Sequence, residues 1–118
     1  HHKYTKGATE YLCPAPLPVE MQEKIKSIAV AAFQHCGCRD FGRVDFMLSE
    51  TGELYFLEIN TIPGISSTPT SLFPRSVRVA NGMKYEALVM DLLELALYRF
   101  KARWAGKAIP STAGARPI

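Results

Sequence analysis

Long apolar runs are missing from this 118-residue chain. No stretch approaches the roughly 20 apolar residues that a membrane-spanning helix needs. No charged, apolar and small-residue leader opens the sequence either, so the cytoplasm is the default expectation, with no membrane partner. Cysteine is scarce: Cys13, Cys36 and Cys38 are an odd number without a secretion signal, which argues against a disulfide framework. His35, Cys36 and Cys38 stand close together, but a tetrahedral zinc site wants wider spacing and a second ligand pair, and only Cys13 is left to supply it. Charge of one sign is lacking as well. Fourteen Lys and Arg against eleven Asp and Glu leave +3, spread along the chain except for a C-terminal basic excess, which gives little support to a nucleic-acid partner. There is no internal repeat.

What is present is ordinary globular composition, 47% hydrophobic and 21% charged, with mean hydropathy near zero, so the chain is expected to fold around one small core. Its length excludes a multi-domain enzyme within these residues. The sequence starts with His1 and His2 where an initiator Met would stand. The chain is therefore expected to begin after an initiator, a tag or a longer upstream sequence, and these two histidines are set aside.

Periodicity orders the rest. Thr9 to Leu12 reads as a short strand leading into a connection stiffened by Pro14, Pro16 and Pro18. Met21, Ile25, Ile28, Ala29, Ala32, Phe33 and Cys36 recur at three- and four-residue spacing, which predicts a helix over about 19–36 with Gly37 as its C-terminal stop. Arg43–Leu48 and Leu54–Asn60 read as two strands of a β-hairpin around Ser49-Glu50-Thr51-Gly52-Glu53. A polar loop rich in Ser, Thr and Pro runs to about Thr70, long enough in a small domain to be functional. Ser71 to Ala80 is expected to be a short helix interrupted near Pro74, and Asn81-Gly82 a turn. Tyr85, Leu88, Val89, Leu92, Leu95 and Ala96 predict a long helix to about Arg103, and residues 105–118, with Gly106, Pro110, Gly114 and Pro117, a disordered tail.

Four hairpin residues are out of place on an ordinary buried sheet face: Arg43, Asp45, Glu58 and Asn60. Alternation puts Arg43 and Asp45 on one face of their strand, and Glu58 and Asn60 on one face of theirs. With Thr51-Gly52 as the two central turn residues, paired positions place Asp45 opposite Glu58 and Arg43 opposite Asn60. A one-residue slip would set Asp45 against Leu57 and Arg43 against Ile59, mixing charge into the apolar face. Opposed carboxylates repel unless something positive sits between them. Asp, Glu and Asn offer only oxygen, which suits a hard ion such as Mg²⁺. On spacing alone a second explanation stands beside this one: Arg43 neutralises Asp45 and Glu58 in a partly exposed ion-pair cluster.

Gly42-Arg43-Val44-Asp45-Phe46-Met47-Leu48, Phe56-Leu57-Glu58-Ile59-Asn60-Thr61-Ile62-Pro63-Gly64 and Ser71-Leu72-Phe73-Pro74 resemble the C-terminal end of the D-alanine–D-alanine ligases of the ATP-grasp superfamily. Lys3-Tyr4, Tyr11-Leu12-Cys13-Pro14-Ala15 and Gly82-Met83-Lys84-Tyr85 resemble the family's flanking segments. The resemblance implies an α+β fold over residues 1–104, a partial ATP-grasp domain in which a helix packs on an antiparallel hairpin sheet beside a second, C-terminal helix. It implies a ligase that phosphorylates one D-alanine carboxylate with ATP and joins it to the amine of a second, for peptidoglycan precursor synthesis.

The family's roles carry over residue by residue as implications of that resemblance. Asp45, Glu58 and Asn60 match ligands of Mg²⁺, with Mn²⁺ as the substitute, and Glu58 bridges two ions that hold the ATP phosphates. Arg43 matches the arginine that stabilises charge on the acyl phosphate and tetrahedral intermediate, and the Gly64 N–H the second part of that oxyanion site. Ser71 and Leu72 match the positions that hold the second D-alanine's carboxylate, and Lys3 and Tyr4 residues that line the nucleotide. The loop from Ile65 to Thr70 is longer than the family's usual form. It keeps open an ATP-grasp carboxylate–amine ligase with another acceptor, beside a non-catalytic binding module that retains the hairpin. The N-terminal domains that grip the first substrate and cover adenine are the expected partners. Without them apolar surface is expected to be exposed and the chain inactive, marginally stable or associated, a homodimer included.

Overall fold

A computed structural model describes residues 10–106. Along the chain these form α1 (Val19–His35), β1 (Arg43–Leu48), β2 (Leu54–Asn60), α2 (Leu72–Asn81) and α3 (Tyr85–Trp104), an α+β architecture with one two-stranded antiparallel sheet among the described residues. Lys3, Tyr4 and the segment 107–118 lie outside them.

Helix α1 ends as its sequence directs. Gly37 takes φ +65°, the Cys38 N–H reaches back to the Phe33 carbonyl at 3.0 Å, and the Gly37 N–H reaches the Gln34 carbonyl at 2.9 Å. Together these satisfy carbonyls that the last turn would leave unpaired. The chain then reverses through Asp40, a non-glycine residue at φ +63°. Its carboxylate is held by Arg99 of α3 at 2.6 Å, so this ion pair ties the entrance of β1 to the far helix.

Gly42, at the foot of β1, is where α1 meets the hairpin. A Cβ there would lie 2.6 Å from the Phe33 ring and 3.1 Å from the Asn60 carbonyl oxygen, so only glycine lets Phe33 pack over the strand backbone. Phe73, Val77 and Leu88 form a small core between α2 and α3, with Phe41, Ile65, Met83 and Leu92 against it. A cleft of about 400 Å³ runs between α1, the inner face of β1 and α3, lined among others by Ile25, Ala29, Phe33, Val44, Phe46 and Leu88. The core is thin. Tyr55, Phe56, Leu57, Phe100 and Trp104 are all more than half exposed.

Two expectations are corrected. The described part of the first strand, Glu10–Leu12, is irregular; it pairs with no strand among the described residues, and the Tyr11 carbonyl instead accepts a bond from Arg75 Nη2 at 2.9 Å. Helix α2 is not interrupted at Pro74: it runs unbroken over Leu72–Asn81. Pro74 sits in the first turn, where an α-helix has no N–H bond to lose.

Gly42→Ala is expected to destabilise the chain by about 1–3 kcal/mol, the usual cost of forcing an extra carbon into a packed contact. The denaturant midpoint of unfolding, followed by circular dichroism, checks it.

Candidate functional site

The hairpin ladder pairs Arg43 with Asn60, Val44 with Ile59 and Asp45 with Glu58, then shifts, so that Phe46 opposes Phe56, Met47 opposes Tyr55 and Leu48 opposes Leu54. The expected two-residue turn is therefore not formed. Ser49 pairs with Glu53 around the three residues Glu50-Thr51-Gly52: the Ser49 N–H donates to the Glu53 carbonyl at 2.9 Å, and the Gly52 N–H to the Ser49 carbonyl at 3.0 Å. The Glu53 N–H donates to Ser49 Oγ at 2.9 Å. Gly52 at φ +83° supplies the left-handed residue that such a loop requires. This register, continued unbroken, would be the slipped one, with Asp45 against Leu57. A bulge at Leu57 adds one residue to β2 and restores the pairing of Asp45 with Glu58.

The bulge sorts the side chains. Val44, Phe46 and Leu48 share a face with Ile59, Phe56 and Leu54, and the Phe46 and Phe56 rings meet edge to face at 5.9 Å. Arg43 and Asp45 share the opposite face with Glu58 and Asn60, as expected. The apolar positions of β2, 54, 56 and then 59, change phase at Leu57, and that change in an otherwise alternating run is the signal that marks the bulge.

Arg43 grips Asp45 with both arms of its fork, Nε to Oδ1 at 2.7 Å and Nη2 to Oδ2 at 2.9 Å, and Nη2 stands 3.9 Å from Glu58 Oε1. The Asn60 amide donates to the same Glu58 oxygen at 3.0 Å. The bonds to Asp45 raise the Arg43 pKa beyond its already high ordinary value, against a smaller opposing effect of burial, so this guanidinium is charged at every working pH. Arg43 is thus the positive group that opposed carboxylates demand. The side chains of Arg43 and Asp45 are about one-third exposed and that of Glu58 about half, so solvent reaches the patch.

The donor chemistry fits a hard divalent cation. Asp45, Glu58 and Asn60 bring only oxygen to one solvent-facing patch, with two carboxylates directly opposed. Asn60 would turn its carbonyl oxygen toward the ion in place of its NH₂, and Arg43 would share Asp45. All three cysteines are free thiols, with Cys38 buried and Cys36 exposed.

The loop after β2 closes on itself through Ser71. Its hydroxyl donates to the Gly64 carbonyl at 3.0 Å and accepts from the Ser66 N–H at 3.3 Å, while its own N–H reaches the Thr68 carbonyl at 3.1 Å. Gly64 and Ser71 are thereby brought together. Ser71 also stands as N-cap of α2 without a side-chain cap bond, and the first turn of α2 holds no acidic residue. The first-turn N–H groups, that of Leu72 among them, are left for another acceptor. Three further residues, Gly42, Asp40 and Arg99, support the site. Gly42 carried a signal, a glycine immediately before a strand; the Asp40–Arg99 pair, far apart in the chain, carried none.

Comparison with known proteins agrees with the resemblance. Residues 1–94 match the family described as D-ala D-ala ligase C-terminus. A D-alanine–D-alanine ligase from Methylacidiphilum infernorum is 49% identical over 102 residues, 86% of this chain and 33% of its own length. One from Dechloromonas aromatica is 49% identical over 94 residues, 80% of this chain and 30% of its own, and one from Thermotoga sp. strain RQ2 is 47% identical over 97 residues, 82% and 31%. The chain therefore spans about a third of the length of the curated relatives it matches.

The double-mutant cycle of Arg43→Met and Asp45→Asn is expected to give a coupling of about 0.5–1 kcal/mol, small because solvent screens the pair. That coupling should shrink in 1 M salt, where the screening length is about 3 Å. Urea unfolding of the three variants beside the parent measures it.

Proposed function

The chain belongs to the D-ala D-ala ligase C-terminus family, and from that premise we propose that it is the metal- and phosphate-binding end of an ATP-dependent carboxylate–amine ligase acting on D-alanine. The observation that carries the proposal is the convergence of Arg43, Asp45, Glu58 and Asn60 across the register Asp45↔Glu58, on a chain similar to these ligases over most of its length. In the reaction, the carboxylate of one D-alanine takes the terminal phosphoryl group of ATP and ADP leaves. The amine of a second D-alanine then attacks the acyl carbon and phosphate departs, giving the dipeptide for cell-wall synthesis. No helix among the described residues is long and apolar enough to cross a membrane, which is compatible with work in the cytoplasm.

Asp45, Glu58 and Asn60 would hold Mg²⁺, for which Mn²⁺ can substitute, with Glu58 shared between two ions. When bound, such ions neutralise the nucleotide phosphates and stabilise charge on the transferring group. Arg43, oriented by the Asp45 fork, donates to the charge that develops on the acyl phosphate and on the tetrahedral carbon, and the Gly64 N–H is the second fixed donor. The second D-alanine's carboxylate fits the uncapped N-terminus of α2 at Ser71 and Leu72, where free N–H groups and the helix dipole favour an anion. Lys3 and Tyr4 would line the nucleotide. The first substrate and the adenine would be held by the other parts of the ligase.

An acceptor other than D-alanine is the second reading. It is favoured by the Ser71 hydroxyl and N–H both being engaged inside the long 65–70 loop, and a panel of amino-acid acceptors decides it.

In the ligase that carries this segment, Glu58→Gln should abolish ATP-dependent dipeptide formation, because the variant keeps the shape but loses the bridging charge. Arg43→Lys should lose much of the rate, since a point charge does not reproduce a planar fork. Phosphate release and dipeptide yield measure both, and turnover by Glu58→Gln at the parent rate would sink the metal assignment.

A further inference from the structure

Asp40 stands between α1 and β1 in a backbone conformation that suits glycine. Its φ of +63° lies in the left-handed region, and the Phe41 N–H donates to the Arg39 carbonyl at 2.8 Å. Residues 39–41 therefore close a three-residue turn with a positive φ at its centre. Such turns are rare and strained, and a residue with a side chain persists in one where its surroundings hold it there. The Asp40 carboxylate supplies a holding contact. Its Oδ2 stands 2.6 Å from Arg99 Nη2 of α3, and the two side chains are only 16% and 31% exposed, so solvent screens this pair less than one on the open surface.

The turn leads directly to the candidate site. Arg43 opens β1, and its pairing with Asn60 is the end of the hairpin ladder. The end pair of a two-stranded sheet frays unless the chain leading to it is held. Here each residue of that approach is engaged: Asp40 by Arg99, Phe41 by the Phe73 ring with centroids 5.4 Å apart, and Gly42 by the Phe33 ring. Apolar packing is non-directional. The ion pair adds a fixed point on α3, whose Leu88 and Leu92 are packed in the core.

We propose that the Asp40–Arg99 pair positions Arg43, holding the start of β1 so that the guanidinium keeps the place from which it donates to the charge developing on the acyl phosphate. Both are positioning residues that act through Arg43. The catalytic consequence rests on the ligase reading, whereas the link to Arg43 rests on the geometry alone. A misplaced guanidinium loses stabilisation made in the transition state, so the effect falls on kcat and not on nucleotide binding.

Two measurements test it. In the 118-residue chain, the NMR signal of the Arg43 Nε–H, which donates to Asp45, should shift and broaden in Arg99→Met and in Asp40→Gly, while the Val77 and Leu88 amide signals stay in place. Asp40→Gly accepts the positive φ without strain, so it reads the lost ion pair and not a broken turn, and it remains informative if Arg99→Met does not fold. In the ligase that carries this segment, Arg99→Met should lower kcat about tenfold with KM for ATP and D-alanine within about twofold of the parent. Arg99→Lys, which keeps the charge, should restore most of the rate. In an Arg43→Lys background Arg99→Met should cost nothing further, because the guanidinium it positions is already absent; a purely structural role would cost the same factor in both backgrounds. An Arg43 Nε–H signal unmoved by either substitution overturns the proposal, as does a moved signal with kcat unchanged, or equal losses in the two backgrounds. A parent ligase that forms no dipeptide overturns the ligase reading instead, and the Arg43 Nε–H signal alone then decides whether the pair positions Arg43.

Discussion

The extra residue in β2 is the constraint on which the candidate site depends. The Gly52 loop fixes the turn end of the hairpin in one register, and the polar face needs the next one. Without the bulge at Leu57, Glu58 would point to the side of Phe46 and the cleft, and Asp45 would face Leu57. Burying a carboxylate there without a partner costs several kcal/mol, whereas one unpaired strand residue, half exposed, costs far less. Bulges re-aim side chains in this way beside functional sites.

Everything around the hairpin steadies that arrangement from a thin core. Gly42 lets Phe33 lie across the strand entrance beside the Asn60 carbonyl, Arg99 holds the preceding turn through Asp40, and Ser71 ties the loop back to Gly64. These contacts place the backbone from which Arg43, Asp45, Glu58 and Asn60 project. The side chains themselves remain accessible to solvent, Arg43 and Asp45 about one-third exposed and Glu58 about half. The same thinness leaves large apolar side chains uncovered on the hairpin and on α3, consistent with a chain that spans about a third of its relatives' length.

Much of this was legible in the sequence where the signal is local. Helix α1 and its glycine stop, both strands and α3 follow from apolar spacing, because each buries one face and its period is written in adjacent residues. The pairing of Asp45 with Glu58 was also reached, but through a turn that does not exist: the real loop is one residue longer, and the bulge cancels the difference. The demand that charges share one face outweighed the turn, and that demand is what the structure obeys. Pro74 misled because its effect depends on its place in the helix, and Tyr11 because a backbone carbonyl caught by Arg75 leaves no periodic trace. The Asp40–Arg99 pair spans 59 positions and is invisible to any local pattern.

The central claim is that this register builds an oxygen-lined patch specific for a divalent cation. Paramagnetic broadening of the chain's amide NMR signals on titration with Mn²⁺ tests it most directly. The account predicts broadening centred on residues 43–46 and 58–60 and lost in Glu58→Gln. Broadening spread evenly over the surface carboxylates, or unchanged by that substitution, would contradict it.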